Sequence, residues 1–314
     1  MTAKPLVSIV IVNYRRREAL VRSLASALAQ TYPCREIIVV DNHSEDGIEA
    51  FMREHAPEAR LLQLPENLGA CGGRNAGIAS ALGEILLTLD NDIYFESSEE
   101  LQRVVDTFGE RPDIHVLACQ LCAEEDGEVR VREWCHARSW SEHRKNRFET
   151  HYFIEGACAY RREVFANCGS YWERLFIGCE GHDLALRIIN SGYRILFVPE
   201  IRLRHLMSLE TRTPERPYYF YTRNYIWIAY KDYHLLDGLR FLIPKLTMMF
   251  YFALRARRLP AFCRGVLHGF KALPDIRAER TPINKYTSRY LSDIEKWRPS
   301  LWVRLARHRR AIQL

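Results

Sequence analysis

Blocks of apolar and polar positions alternate along the first 90 residues in a way that predicts strands followed by helices. The run "LVSIVIVNY" (6–14) is almost continuously apolar and rich in β-branched residues, as expected for a strand that is covered on both faces. In "RRREALVRSLASALAQTY", which follows it, apolar residues recur at the three- and four-residue spacing of an amphipathic helix. The chain is therefore predicted to open with an α/β unit.

The same alternation continues to residue 90. Further strands are predicted at 36–41, 60–65 and 84–90, and helices around 48–55 and 76–81, the second of them after a Gly-rich turn. Alternating strands and helices with short links predict an α/β fold with a doubly wound, mostly parallel, Rossmann-like sheet. In such folds, ligands bind outside the carboxyl ends of the strands.

The later part of the chain is less regular. The charged, Trp-bearing segment 133–149 is predicted to be a mobile loop, and "GYRILFVPEIRLRH" (192–205) is predicted to be a strand that ends in a histidine. After a hinge candidate rich in proline and charge at 211–217, the pattern is helical. We therefore predict a first domain over residues 1–217 and a basic, amphipathic helical C-terminal region over residues 218–314.

Charge is unevenly distributed along the 314-residue chain, whose net charge is +6. Residues 1–230 contain 27 Lys and Arg against 33 Asp and Glu, whereas residues 231–314 contain 18 against 6. A basic, aromatic-rich region suits an anionic membrane surface or nucleic acid. Because the region has no nucleic-acid recognition motif and the acidic first part would repel phosphate, we predict no nucleic-acid partner.

Three features bear on the location of the protein. The longest uncharged apolar stretch of the C-terminal region, Leu246–Leu254, has nine residues, and a membrane-spanning helix needs ~20, so no span is predicted. The N-terminal sequence lacks the charged, apolar and small-residue pattern of a signal peptide. Nine scattered cysteines form no disulfide framework, which favours reduced thiols and a cytoplasmic location.

Polar side chains follow the predicted strands at the points where these strands end. Asp90 and Asp92 close the apolar run "LLTLDNDIYF", while Asn13 and Asp41 follow the first two strands. Two carboxylates spaced i, i+2 can bind one divalent cation, and Mg²⁺ or Mn²⁺ prefers such oxygen ligands together with those of a diphosphate. The alternative is an Asp/Asn turn that merely ends the strand.

Five motifs together resemble one family. "VSIVIVNY", "EIIVVDNHSEDG", "ENLGACGGRNAGI", "LLTLDNDIYF" and "EGACAYRREVF" occur in the order, and at roughly the spacing, of glycosyltransferase family 2, whose members have the GT-A fold. Within residues 6–235 the chain is similar to the rhamnosyltransferase-like branch. The resemblance implies a nucleotide-sugar site formed by Asn13, Asp41, Arg74 and Asp90. It also implies a Mg²⁺ or Mn²⁺ site formed by Asp92 and His205.

The resemblance is weakest where the family keeps its general base. Many members have Glu-Asp-x-Asp-Leu there, whereas this chain has Glu-Gly-His-Asp-Leu at 180–184, so the aspartate most often assigned as base is missing. The role is transferred to Glu180, with Asp183 as the next candidate. On a helix, Asp183 and Arg187 stand at i, i+4, so a structural ion pair is the alternative for Asp183.

These inferences imply an inverting, metal-dependent glycosyltransferase that uses a nucleoside diphosphate sugar and a glycan or lipid-linked glycan of the cell envelope. The branch resemblance suggests dTDP-rhamnose as the donor. A catalytically silent relative, which only binds a nucleotide-sugar or acts as a scaffold in polysaccharide assembly, is the alternative. The C-terminal helices suit peripheral contact with the cytoplasmic face of an anionic inner membrane, and packing on the catalytic domain or in a homodimer is the alternative.

Overall fold

A computed structural model describes residues 4–129, 134–206 and 213–298 of the chain. The chain divides into two compact units. The first comprises 1–136, 140–176 and 180–211, and the second comprises 137–139, 177–179 and 212–314. The predicted division into domains 1–217 and 218–314 stays a prediction. The boundary it sets falls within the first turn of a helix that begins at Arg216, and residues 207–212 of the hinge region lie outside the described residues.

The first unit is built around a mixed sheet with strand order β3-β2-β1-β4-β8-β6-β9-β5, and β7 pairs with β9. Pairs among β3, β2, β1 and β4 are all parallel. In the rest of the sheet β6 pairs with β9 in parallel, whereas β8 pairs with β4 and β6, and β5 and β7 pair with β9, in antiparallel fashion. The strands are β1 (Val7–Asn13), β2 (Arg35–Asp41), β3 (Arg60–Gln63), β4 (Ile85–Asp90), β5 (Ile93–Phe95), β6 (Val116–Ala123), β7 (Phe148–Thr150), β8 (Ala157–Arg161) and β9 (Ile195–His205). The predicted α/β fold class is confirmed.

As far as β4, helices alternate with the strands as the apolar pattern predicts. The helices of this unit are α1 (Arg17–Leu28), α2 (Ile48–His55), α3 (Gly69–Ser80), α4 (Glu100–Glu110), α5 (Trp140–His143), α6 (Glu163–Cys168) and α7 (Glu180–Asn190). The central strands are fully buried, and their Ile, Val and Leu side chains pack with those of α1, α2 and α4 into one core. Burial on both faces explains why β1 is a continuous apolar run rather than an alternating one.

The prediction of a Gly-rich turn before a helix at 76–81 is wrong, because α3 already begins at Gly69. Glycines allow this helix to approach the sheet closely. A Cβ atom at Gly73 would lie 2.7 Å from Val12 Cγ1, and one at Gly77 would lie 2.9 Å from Val40 Cγ2. At these distances a Cβ atom would clash with the strands, so no residue larger than glycine fits at either position. The close approach carries Arg74 to the edge of the sheet where β1 and β4 end.

The segment 133–149 is also more structured than predicted. Residue 133 lies outside the described residues, but the rest contains α5 and the start of β7. The ring of Trp134 packs on that of Phe197 with centroids 5.3 Å apart, and Phe148 packs on Phe197 at 5.0 Å. An aromatic cluster on β9 therefore packs against a segment whose charge suggested a mobile loop.

The described part of the second unit is helical. Its helices are α8 (Arg216–Asp232), α9 (Leu235–Arg255), α10 (Leu259–Lys271) and α11 (Lys285–Glu295). Within the unit, the indole N–H of Trp227 on α8 donates to the carbonyl of Gly269 on α10, at 3.0 Å. Among the residues that the structure describes, none of the helices combines the length and the apolar character needed to cross a membrane.

Candidate active site

Asn13 and Asp41 lie side by side at the carboxyl ends of β1 and β2. The two residues are register partners in the parallel pair, and both are almost fully buried. The carboxylate of Asp41 accepts the backbone N–H of Ser44 at 3.2 Å, and the side-chain oxygen of Asn13 accepts from the amide of Asn91 at 2.8 Å. A turn after β2 therefore holds one carboxylate in a fixed position at this edge of the sheet.

Arg74 joins the end of β4 to the start of α7. Its guanidinium donates to the carboxylate of Asp90, and also to Glu180 Oε1 at 2.9 Å. Arg74 and Glu180 are each only 3% exposed, whereas the side chain of Asp90 is 37% exposed. Gly156, which precedes β8, packs on Asp90, and a Cβ atom there would lie 2.8 Å from Asp90 Oδ1. The structure thus brings three predicted site residues together.

Asp92 and His205 form a second cluster two residues beyond the end of β4. Because Ile93 of β5 is the register partner of His205 on β9, the His205 Nε2 atom lies 3.7 Å from Asp92 Oδ2. Arg16 Nη1 donates to the same carboxylate oxygen at 2.7 Å. Burial by itself would raise the pKa of Asp92, but hydrogen bonding and charge from His205 and Arg16 hold it well below its usual range.

The pair of Asp92 and His205 fits a divalent cation in its chemistry. An ionised carboxylate and an imidazole nitrogen lie 3.7 Å apart, close enough to share one ion. In the described part of the chain, no group of three or more His, Cys, Asp or Glu side chains is arranged to hold a metal by itself. A cation held here would therefore take its other ligands from water or from a bound diphosphate.

The two predicted candidates for the general base both have arginine partners. Glu180 pairs with Arg74, and Asp183, which is fully buried, accepts from Arg187 Nη2 at 2.6 Å. The i, i+4 pair that the sequence offered as the alternative for Asp183 is present. Each of the two candidate carboxylates is therefore already bonded to an arginine in the structure.

Arg16 is a charged residue of the site that the sequence motifs did not single out. It is 91% buried, and within the described residues its Nε and Nη2 atoms have no hydrogen-bond acceptor. Buried N–H groups without a partner are costly, and a bound anion would supply the acceptors. The signal lay in the run "NYRRR" directly after β1, where three arginines stand at the ligand-binding edge.

Glu155 is a second charged residue of the site that the sequence motifs did not single out. It lies in the motif "EGACAYRREVF", and its Oε1 atom accepts the backbone N–H of Gly181 in the first turn of α7. Burial and the neighbouring charge of Glu180 raise the pKa of Glu155 to about 8, although Arg74 opposes the shift. The sequence showed this glutamate, but nothing in the motif indicated that it would lie against α7.

The chain is similar in sequence and in fold to known glycosyltransferases. A family model described as glycosyl transferase family 2 matches residues 8–169. The O-antigen biosynthesis protein RfbC of Myxococcus xanthus is 28% identical over 73% of the chain and 19% of its own length. The O-antigen chain rhamnosyltransferase WbaN of Salmonella anatum is 23% identical over 60% of the chain and 62% of its own length.

Among solved structures, the mannosyltransferase PcManGT of Pyrobaculum calidifontis, in complex with GDP-Man and Mn²⁺, is similar in fold. It superposes with a TM-score of 0.58 at 19% identity, over 94% of this chain and 85% of that one. The chain spans between 19% and 32% of the length of three curated relatives that it matches. The chain belongs to glycosyltransferase family 2, so the predicted family and the predicted class of enzyme are confirmed.

Proposed function

We propose that this chain transfers a sugar from a nucleoside diphosphate donor to a glycan or lipid-linked glycan of the cell envelope, with inversion at the anomeric carbon and with a divalent cation. The observation that carries the proposal is the convergence of Asn13, Asp41 and Asp90 at the ends of three neighbouring strands, with Asp92 and His205 beside them. Ligand sites lie at this edge in open α/β sheets.

The donor would lie along this edge with its base over β2 and its diphosphate near Asp92. The carboxylate of Asp41, fixed by the backbone N–H of Ser44, has lone pairs left to accept an imide N–H of a pyrimidine base. Arg16 would donate to the diphosphate from its Nε and Nη2 atoms, which have no acceptor among the described residues. Asp92 and His205 would hold the Mg²⁺ or Mn²⁺ ion, which neutralises the charge that develops on the leaving diphosphate.

Inversion follows from a single displacement. The acceptor hydroxyl attacks the anomeric carbon from the face opposite the diphosphate, and a carboxylate takes the hydroxyl proton. Glu180 and Asp183 remain the predicted candidates for this carboxylate from the sequence. As the donor, dTDP-rhamnose is supported by the resemblance to the rhamnosyltransferase-like branch and by similarity to WbaN. Similarity to RfbC, an O-antigen biosynthesis protein, and to WbaN, an O-antigen chain rhamnosyltransferase, supports an envelope polysaccharide as the acceptor.

Thermal unfolding in the presence of nucleotide-sugars tests this function. We expect dTDP-rhamnose with Mn²⁺, at about 100 times its Kd, to raise the Tm by about 5–10 °C, because a ligand that binds only the folded chain stabilises it. The shift should be smaller without Mn²⁺. UDP-GlcNAc and GDP-mannose are the comparison donors.

The outcomes of this screen separate the candidates. A shift with a different donor would correct the sugar but keep the function. A shift without any release of nucleoside diphosphate would favour the silent, sugar-binding alternative. No shift with any donor and metal would contradict the proposal.

We further propose that the protein is cytoplasmic and binds the anionic inner membrane through α9. Exposed apolar side chains recur along one stripe of this helix at the spacing of one or more turns. They are Leu236, Leu239, Ile243, Phe250 and Leu254, with exposures of 43–68%. Arg240, on the same stripe, is 79% exposed, and residues 231–314 carry 18 basic against 6 acidic residues. An apolar stripe in a basic region complements an anionic lipid surface.

Binding to lipid vesicles tests this surface. The variant Ile243→Glu/Phe250→Glu should bind vesicles of phosphatidylcholine and phosphatidylserine at least about tenfold more weakly than the original chain, because two side chains lose their apolar contact with lipid. Leu82→Glu is the matched control, since Leu82 is 73% exposed in the first unit. Unchanged vesicle binding, or a homodimer that the double variant dissociates, would contradict membrane contact.

A further inference from the structure

Three carboxyl groups lie at or beside the first turn of α7, and they differ in exposure and in partners. Glu180 is 3% exposed and bonded to Arg74, while Asp183 is fully buried and bonded to Arg187. Glu155 is the only one of the three that is partly exposed. A group that takes a proton from a bound substrate must be reachable by that substrate.

Glu155 is also close to the donor site and has no arginine or lysine of its own. Within residues 4–129, 134–206 and 213–298, no ion pair joins it, and Oε1 accepts only the N–H of Gly181. The next residue, Gly156, packs directly on the carboxylate of Asp90. The Glu155 backbone carbonyl also accepts the hydroxyl of Thr88, on β4, at 2.5 Å. These two contacts hold the backbone of Glu155 and Gly156 against β4, beside Asp90 at the strand end of the proposed donor site.

We propose that Glu155 is the general base of the transfer, an inference that rests on the proposed function. Its carboxylate takes the proton of the acceptor hydroxyl as the acceptor oxygen bonds to the anomeric carbon. The bond between that carbon and the diphosphate oxygen breaks, and its electron pair leaves with the nucleoside diphosphate. Glu155 then releases the proton to solvent, so it starts the next cycle ionised.

The surroundings of Glu155 suit a proton acceptor that works near neutral pH. Burial and the negative charge of Glu180 raise its pKa to about 8, and Arg74 lowers it. Its other charged or titratable neighbours are the thiols of Cys71 and Cys158 and the hydroxyl of Tyr171. A base whose pKa lies near the working pH gives the best compromise between ionised fraction and proton affinity. Glu180 does not contact the acceptor in this scheme, and its negative charge adds to the effect of burial on the pKa of Glu155.

The contact between Glu155 and Gly181 allows a specific test, in which the carboxylate is moved from residue 155 to residue 181. A Cβ atom at Gly181 would overlap Glu155 Oε1 and lie 2.7 Å from Glu155 Cδ. A side chain at position 181 and the carboxylate of Glu155 therefore compete for one space. Gly181 has ordinary helical geometry rather than a positive φ, so a larger residue fits its backbone. A carboxylate placed on residue 181 would occupy the position that Glu155 leaves when it is truncated.

The experiment measures the release of nucleoside diphosphate with water as the acceptor. The donor is the one among dTDP-rhamnose, UDP-GlcNAc and GDP-mannose that stabilises the original chain. Glu155→Gln should lower the rate about 10²–10⁴-fold while keeping the donor-induced Tm shift. Glu155→Ala should be equally slow, and Glu155→Ala/Gly181→Asp should regain at least about tenfold. Glu163→Gln is the matched control, because Glu163 is a half-exposed carboxylate on α6.

The pH profile of the original chain gives a measurement that needs no variant. Because only the ionised form of Glu155 accepts a proton, the rate should rise with pH through about 8 and then level off. A rate that is independent of pH between about 6.5 and 9, or Glu155→Gln with unchanged rate, would overturn the assignment of Glu155 and leave the proposed function intact. An original chain that neither binds nor cleaves any donor would instead overturn the proposed function itself.

Discussion

Asp92→Asn is expected to lower the rate of donor cleavage about 10²–10³-fold, the usual effect of removing one group that stabilises developing charge. The reason is that the substitution removes the charge that we propose to hold a cation beside His205, whose Nε2 lies 3.7 Å from Asp92 Oδ2. The extra donor-induced Tm shift that Mn²⁺ provides should disappear as well. Steady-state release of nucleoside diphosphate and thermal unfolding, each with and without Mn²⁺, measure the two effects.

The control for this variant must separate the loss of the cation from the loss of the ion pair with Arg16. Asp92→Asn leaves the buried Arg16 without its carboxylate, and this alone destabilises the fold. The double variant Arg16→Gln/Asp92→Asn removes both charges, so it should regain Tm but not activity. Asp106→Asn, on the exposed face of α4, should leave both unchanged. A fully active Asp92→Asn would contradict the metal site.

Arg74→Met is expected to lower the Tm by about 10 °C. Arg74 is 3% exposed and bonded to both Asp90 and Glu180, so truncation leaves Glu180 as an unpaired buried charge. Breaking a buried pair from one side costs about 3–5 kcal/mol, and in a unit of this size each kcal/mol lowers the Tm by about 2–4 °C. Calorimetry or circular dichroism measures the shift.

Two further variants test why the Tm decreases in Arg74→Met. Arg74→Met/Glu180→Gln should recover most of the Tm, because the buried charge that Arg74→Met leaves is then removed too. Arg53→Met is the matched surface control, since Arg53 is 76% exposed and its i, i+4 pair with Glu49 is worth less than about 1 kcal/mol. If Arg74→Met kept the original Tm and only lost donor affinity, Arg74 would bind the donor rather than hold the site together.

The strand ends were predictable from the sequence because two simple patterns coincide there. β1 and β4 are continuous apolar runs, and each stops at a polar residue. Parallel strands place their carboxyl ends on one edge, so Asn13 and Asp90 had to lie near each other once the fold class was known. His205 could be placed as well, since a strand ends at that residue.

The partners of these residues were not predictable, because they come from long-range packing. Arg74 bonds to Glu180 across 106 positions of the chain, and Arg16 bonds to Asp92 across 76. No local pattern indicates which arginine meets which carboxylate. Likewise, the sequence revealed the unusual Gly181, but only the fold shows that Glu155 fills the space beside it.

A crystal structure of the chain with Mn²⁺ and the nucleoside diphosphate of the stabilising donor would show whether the donor and the metal bind at the ends of β1, β2 and β4. We expect an anomalous signal from a manganese ion that is coordinated by Asp92, His205 and diphosphate oxygens, with the base against Asp41 at the end of β2. A nucleotide bound away from the ends of β1, β2 and β4, or a manganese ion coordinated by neither Asp92 nor His205, would contradict it.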